Sequence, residues 1–191
     1  MGEPLFDELL RFDAKKPAAS FKKQVIVTGL MFLWLYISPI VSTAVTSENS
    51  LERETLREYK WRMKNKVTPG QQMATGVLQR SLYSSVSEEL LFRVIVLKCL
   101  VYKVGMKGWQ ANILQAVVFG SMHMTNVVTR QQGVKTSVCQ SLIASVSFWL
   151  YGWSFMTTNS ILPALMVHMT GNLYFSVDDA LIYEEFHAEK K

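Results

Sequence analysis

The stretch VIVTGLMFLWLYISPIVSTAV, residues 25–45, runs for twenty-one positions without a charged side chain. At about 1.5 Å per residue, a helix of this length crosses the roughly 30 Å hydrocarbon core of a bilayer. A helix in the core of a soluble protein rarely needs so long an uncharged run. The stretch therefore predicts a membrane-spanning helix. No short apolar region with a small-residue cleavage site precedes it, so we expect this helix to be retained.

The 191-residue chain as a whole has 49% hydrophobic residues, which is high for a soluble protein of this size. Four further apolar runs follow, at residues 76–102, 111–128, 138–156 and 161–183. We therefore predict an all-α fold, a multi-pass membrane helical bundle of about five transmembrane helices. We expect three parts. Residues 1–75 contain an interfacial segment, the first span and a charged linker. Residues 76–183 form the bundle, and residues 184–191 form a polar tail.

The net charge of +5 comes from Lys and Arg residues that cluster at residues 15–23 and 53–66. Basic clusters beside apolar runs are typical of contact with lipid headgroups, so the expected partner is the lipid bilayer and not nucleic acid. For residues 53–66 an ordinary solvated helix face is an equal alternative. The loops on both sides carry similar positive charge, which leaves the topology open. The compartment also stays open among the endoplasmic reticulum, an organelle inner membrane and a prokaryotic plasma membrane.

Charged residues interrupt the second apolar run, where Glu88, Glu89 and Arg93 fall just before and inside it. A charge in mid-membrane costs about 2.5–3.5 kcal/mol, so such residues must pair or face a wet cavity. Glu89 and Arg93 are four residues apart and are predicted to form an ion pair on one helix face. Glu88 is turned about 100° away and is available to another partner. The alternative is that both glutamates lie in the headgroup zone without a function.

Two histidines, His123 and His168, also fall inside apolar runs. A single membrane histidine is more often a hydrogen-bonding group between helices than a catalyst. Here Asn172 follows His168 at helical spacing, so both project from one face and can converge on one partner. Phe119 precedes His123 by four residues and is expected to cover it with an aromatic wall.

Together these helices offer the parts of a hydrolytic site, in the side chains of Glu88, His123, His168 and Asn172. A buried carboxylate can take a proton from water, and imidazole and carboxamide groups can donate to a developing oxyanion. Glu88, His123 and His168 could instead hold Zn²⁺ with an open fourth position. The chain lacks both His-Glu-x-x-His and Gly-x-Ser-x-Gly, which argues against a zincin-type metalloprotease and makes a serine or cysteine nucleophile a weaker alternative.

Three short motifs occur in order: Glu-Glu-x-x-x-Arg at residues 88–93, Phe-x-x-x-His at 119–123 and His-x-x-x-Asn at 168–172. In this order, each on a predicted membrane helix, they resemble the CAAX protease and bacteriocin-processing (ABI) family of intramembrane endopeptidases. The resemblance covers residues 76–177, so the bundle at 76–183 is expected to be peptidase-like.

That resemblance implies an enzyme that cuts near the C-terminus of prenylated proteins or processes other membrane-associated peptides. It implies that Glu88 activates the attacking water, while His123, His168 and Asn172 complete the site. Glu89, Arg93 and Phe119 are expected to support the geometry. No cofactor is certain from the resemblance, and Zn²⁺ stays an open alternative.

A second hypothesis is a non-catalytic membrane subunit that keeps the bundle as a scaffold in a complex with other membrane subunits. Its basis is the small size of the chain and the charged residues 47–70, which could dock a partner. A transporter or channel is a third hypothesis, but the sequence shows no paired repeat halves.

Overall fold

The computed structural model describes residues 10–45, 59–129 and 133–188. Across these ranges the chain forms helices joined by short loops and contains no strand, which confirms the all-α prediction. Residues 59–64 are also helical. The main helices are α1 (Phe21–Val45), α2 (residues 69–102), α3 (Gly108–Met122), α4 (Asn126–Thr129), α5 (Val134–Thr158) and α6 (Leu162–Ala188). A turn of tighter helix, His123–Thr125, connects α3 to α4.

Helix α2 is one continuous helix, although wider turns at Gly76–Ser84 and Leu90–Leu97 alternate with α-helical turns. The backbone at every junction keeps right-handed helical angles. The predicted start at residue 76 is wrong, because a capping box begins the helix at Pro69. In that box the Gln71 amide donates to the Thr68 hydroxyl, and the Thr68 amide donates to the Gln71 side chain.

The turn between α5 and α6 is held by the N-terminal segment of residues 10–20. Asn159 has a left-handed backbone with φ of 52°, a conformation that asparagine tolerates better than most residues. Its side-chain amide donates to the carbonyls of Asp13 and Lys16 at 2.9 and 2.7 Å. The Asp13 amide in turn donates to the Asn159 side-chain oxygen at 2.6 Å. These reciprocal hydrogen bonds between Asn159 and the N-terminal segment fix the point at which α6 begins.

Close helix packing depends on small residues at two contacts. A Cβ atom at Gly76 of α2 would lie 2.7 Å from the Cβ of Ser176 on α6. A Cβ atom at Gly120 of α3 would overlap the hydroxyl of Ser145 on α5. Small residues that let helix backbones approach are typical of helix contacts inside membranes.

The bundle exposes many large apolar side chains, and its interior combines an apolar core with buried polar groups. Ile95, Val117 and Leu142 are between 54% and 63% exposed, whereas Glu89 and Arg93 are fully buried. By length and composition, one helix among the described residues qualifies as a membrane span, Phe21–Ser42, with a mean hydropathy of 2.0. The five predicted membrane helices therefore stay a prediction.

The predicted domain limits also stay a prediction, and part of them falls outside the described residues. The undescribed residues are 1–9 of the interfacial segment and 46–58 of the charged linker. Helix α6 continues to Ala188, so most of the predicted polar tail is a helical extension of the bundle.

Candidate active site

Helices α2 and α6 run antiparallel and meet through polar side chains. On α2 the buried positions recur every four residues, at Ser81, Ser85 and Glu89. The Ser81 hydroxyl donates to the Met169 carbonyl at 2.8 Å. One turn further along α2, Ser85 accepts a hydrogen bond from Asn172 at 2.9 Å. This register brings the pair Glu88 and Glu89 opposite the next turn of α6.

Glu89 lies at the centre of the contact, and its carboxylate is fully buried. Arg93 donates from Nε to Glu89 Oε2 at 3.0 Å, so the predicted ion pair is present. Arg93 Nη1 also donates to Gln115 of α3 at 2.8 Å, and the guanidinium carbon lies 4.1 Å from the centre of the Phe148 ring on α5. The buried charge is thus compensated by a carboxylate, an amide and an aromatic face.

His168 of α6 lies between the two glutamates. Its Nδ1 is 2.9 Å from Glu89 Oε1, and its Nε2 is 3.6 Å from Glu88 Oε2. Because an ionised carboxylate only accepts, the short contact places a proton on Nδ1. The second ring nitrogen then faces Glu88 at a distance slightly longer than a direct hydrogen bond, and a water molecule beside the two groups can contact both of them. The Glu88 side chain is 33% exposed, so this side of the imidazole is open to solvent.

Asn172 lies one turn from His168 on the same face of α6, as its spacing predicts. Its side-chain nitrogen donates to Ser85 Oγ at 2.9 Å and to the Arg80 carbonyl at 3.2 Å. An amide nitrogen carries two hydrogens, and both are used in bonds to α2. In this arrangement Asn172 joins the two helices.

His123 stands at the end of α3, at the start of the tighter turn, and is partly buried. Its ring packs edge-on against Phe119 at 5.3 Å, so Phe119 covers it as expected. Phe119 stacks face to face on Phe148, and Phe148 meets the ring of His168 edge-on at 5.9 Å. The structure therefore brings Glu88, Glu89 and His168 together directly. Asn172 lies one turn away and bonds to α2, and two phenyl rings separate His123 from His168.

A zinc site formed by Glu88, His123 and His168 finds no support in this geometry. Within the part of the chain that the structure describes, no three His, Cys, Asp or Glu side chains converge as metal ligands.

Sequence reasoning missed the polar support on α3. Gln115 donates to Asn112 at 2.7 Å, and Asn112 donates to the Trp149 carbonyl of α5 at 2.9 Å. Both residues are buried inside an apolar run, and their spacing of three residues was a visible sign of a polar face. Gly152 of α5 is required beside them, because a Cβ atom there would overlap Asn112.

Comparison with known protein families gives a match over the helices that carry these residues. The family described as type II CAAX prenyl endopeptidase, Rce1-like, matches residues 70–174, more than half of the chain and all of the residues described above from Glu88 to Asn172. No curated protein and no solved structure matches the chain.

Proposed function

The chain belongs to the Rce1-like family of type II CAAX prenyl endopeptidases, and on that premise we propose that it hydrolyses a peptide bond near the C-terminus of a prenylated or other membrane-associated peptide. The proposal rests on the arrangement of Glu89, His168 and Glu88, in which the imidazole lies between the two carboxylates. A buried carboxylate orients an imidazole, and the imidazole faces a second carboxylate that solvent can reach.

In this proposal Glu89 is a positioning residue. It accepts the Nδ1 proton of His168 and so fixes both the tautomer and the orientation of the ring, as the aspartate does in a Ser-His-Asp triad. Arg93 keeps the Glu89 carboxylate ionised and in place. The lone pair of His168 Nε2 then points toward the gap beside Glu88.

Glu88 and His168 together would hold the attacking water beside their contact. As the water oxygen forms its bond to the substrate carbonyl carbon, Glu88 takes the proton. When the carbon–nitrogen bond of the tetrahedral intermediate breaks, that proton passes to the leaving nitrogen. The products are a new carboxylic acid and a free amine, which ionise to a carboxylate and an ammonium group in water, and the site returns to its starting protonation state.

The developing oxyanion needs a hydrogen-bond donor. His168 directs its Nδ1 to Glu89, and Asn172 already uses both amide hydrogens. We propose His123, the second imidazole of the motifs, for this role, although the rings of Phe119 and Phe148 lie between it and His168.

The distribution of side chains supports a position of the site inside the membrane. The outer faces of α2, α3, α5 and α6 expose apolar groups, and the Glu89–Arg93 ion pair lies between the helices. In water such exposed apolar surface would promote association, whereas lipid accommodates it. We propose that all five long helices, α1, α2, α3, α5 and α6, cross the bilayer.

The test is peptide cleavage by the purified full chain reconstituted into liposomes. A farnesylated CAAX peptide is incubated with wild-type, Glu88→Gln and Glu184→Gln proteins, and the products are quantified by mass spectrometry. Glu184 is exposed on α6, so its substitution controls for the loss of one glutamate charge. We expect Glu88→Gln to cleave at least about 100-fold more slowly than the other two, because general-base catalysis contributes roughly 10²–10⁴-fold. Equal rates in all three proteins would refute the role of Glu88.

A further inference from the structure

A cavity of about 290 Å³ with both polar and apolar lining residues lies beside the start of α2, separate from the Glu88 site. Its lining includes Arg62, Gln72, Gln79 and Arg80. The carboxylate of Asp179, on α6, accepts hydrogen bonds from Arg62 at 3.1 Å and from Gln72 at 2.6 Å. Two guanidinium groups therefore meet the Asp179 carboxylate beside this cavity.

Arg80 is the more accessible of the two arginines. Its side chain is 41% exposed, whereas that of Arg62 is 5% exposed. The nearest approach of Arg80 Nη1 to Asp179 is 4.0 Å, longer than a hydrogen bond. Because Asp179 already accepts from Arg62 and Gln72, the Arg80 guanidinium can receive an external anion.

Arg80 is also aligned with the proposed catalytic glutamate. Arg80, Ser84 and Glu88 follow one another at intervals of four residues, and all three are partly exposed. These three residues lie along one face of α2, next to the face on which the buried residues Ser81, Ser85 and Glu89 pack against α6. Eight residues separate Arg80 from Glu88, which is about 12 Å at helical rise.

We propose that this cavity binds the free C-terminal carboxylate of the peptide substrate, an inference that rests on the proposed function. In a CAAX sequence three residues follow the prenylated cysteine, and an extended tail of three residues spans about 10–11 Å. A bond after the cysteine placed at Glu88 would therefore bring the terminal carboxylate to Arg80. Arginine recognises carboxylates through paired charge-assisted hydrogen bonds.

The test is equilibrium binding, so that it does not depend on turnover. A fluorescent farnesylated peptide is prepared with a free terminal acid and with a terminal amide, and its binding to the full chain in zwitterionic nanodiscs is measured in a Glu88→Gln background. We expect the acid to bind about tenfold more tightly than the amide, which corresponds to about 1.4 kcal/mol. Adding Arg80→Gln should bring the two affinities within about twofold, whereas Arg80→Lys should keep most of the difference.

Lys135→Gln is the matched control, because Lys135 is an exposed cation on the first turn of α5. It should leave the acid preference unchanged. A peptide with two extra residues between the cysteine and the terminus should lose the preference, since its carboxylate passes beyond Arg80. Equal binding of acid and amide to the Glu88→Gln protein would overturn the proposal.

Two further outcomes distinguish this proposal from lipid-headgroup binding in the same cavity and from the proposed peptidase function. If Arg80→Gln abolishes binding of anionic lipid but acid and amide peptides bind equally, the cavity holds a lipid headgroup and the proposal is overturned. If wild-type protein cleaves no peptide yet the Arg80-dependent acid preference is present, the carboxylate site is supported and the peptidase function fails.

Discussion

Glu88→Gln and Glu89→Gln are the same chemical change at adjacent positions, and we expect them to have opposite consequences. Glu88 is partly exposed and contacts His168 only at 3.6 Å, so its loss should remove cleavage and leave the fold intact. Glu89 is fully buried and compensates Arg93, so its loss should destabilise the fold.

The size of the expected loss of stability follows from how deeply each glutamate is buried. Removing one partner of a buried ion pair costs about 3–5 kcal/mol, because the other charge stays buried without compensation. For a chain of this length each kcal/mol shifts the melting temperature by about 2–4 °C, so Glu89→Gln should lower it by about 6–20 °C. The long, partly exposed contact of Glu88 contributes about 0–1 kcal/mol, which gives a shift of at most about 4 °C.

The assay is thermal unfolding of both purified variants in one detergent, followed by cleavage measured well below each melting temperature. Glu184→Gln again serves as the control and should match wild type in both measurements. The reasoning is refuted if Glu89→Gln melts with wild type, or if Glu88→Gln proves to be the less stable of the two.

Two further substitutions test the packing that positions the site. Gly76→Ala should lower the melting temperature by about 2–12 °C, because its new Cβ would lie 2.7 Å from Ser176 and overpacking costs about 1–3 kcal/mol. Gly70→Ala, which meets only open space, should have no such effect, and equal melting of the two variants would contradict the close α2–α6 contact. Asn159→Gly keeps the left-handed backbone but loses the bonds to the N-terminal segment, whereas Asn159→Ala loses both. Thermal unfolding should therefore rank wild type above Asn159→Gly and Asn159→Ala last, and an alanine variant as stable as the glycine variant would show that the backbone conformation is unimportant.

Local features of this site could be predicted from the sequence. The Glu89–Arg93 pair follows from a spacing of four residues on one helix, and the cover of His123 by Phe119 follows from the same rule. The all-α fold follows from the length of the apolar runs. Each of these features depends on residues close together in the chain.

Contacts between distant helices could not be predicted in this way. His168 and Glu89 are 79 residues apart, and their hydrogen bond depends on the antiparallel register of α2 and α6. The same register directs Asn172 into α2 and away from the place where an oxyanion donor was expected. Side-chain spacing within α6 shows which residues share a face, but it does not show which residues of α2 that face meets.

The most direct test of the central claim is hydrolysis of a farnesylated CAAX peptide in water enriched with ¹⁸O, with the new cysteine carboxyl analysed by mass spectrometry. We predict that wild-type protein releases the three C-terminal residues and places one ¹⁸O atom in that carboxyl, and that Glu88→Gln protein at equal concentration does so at least about 100-fold more slowly. Release by the two proteins at equal rates, or no release by wild-type protein, would contradict the assignment of Glu88 as the base that activates water.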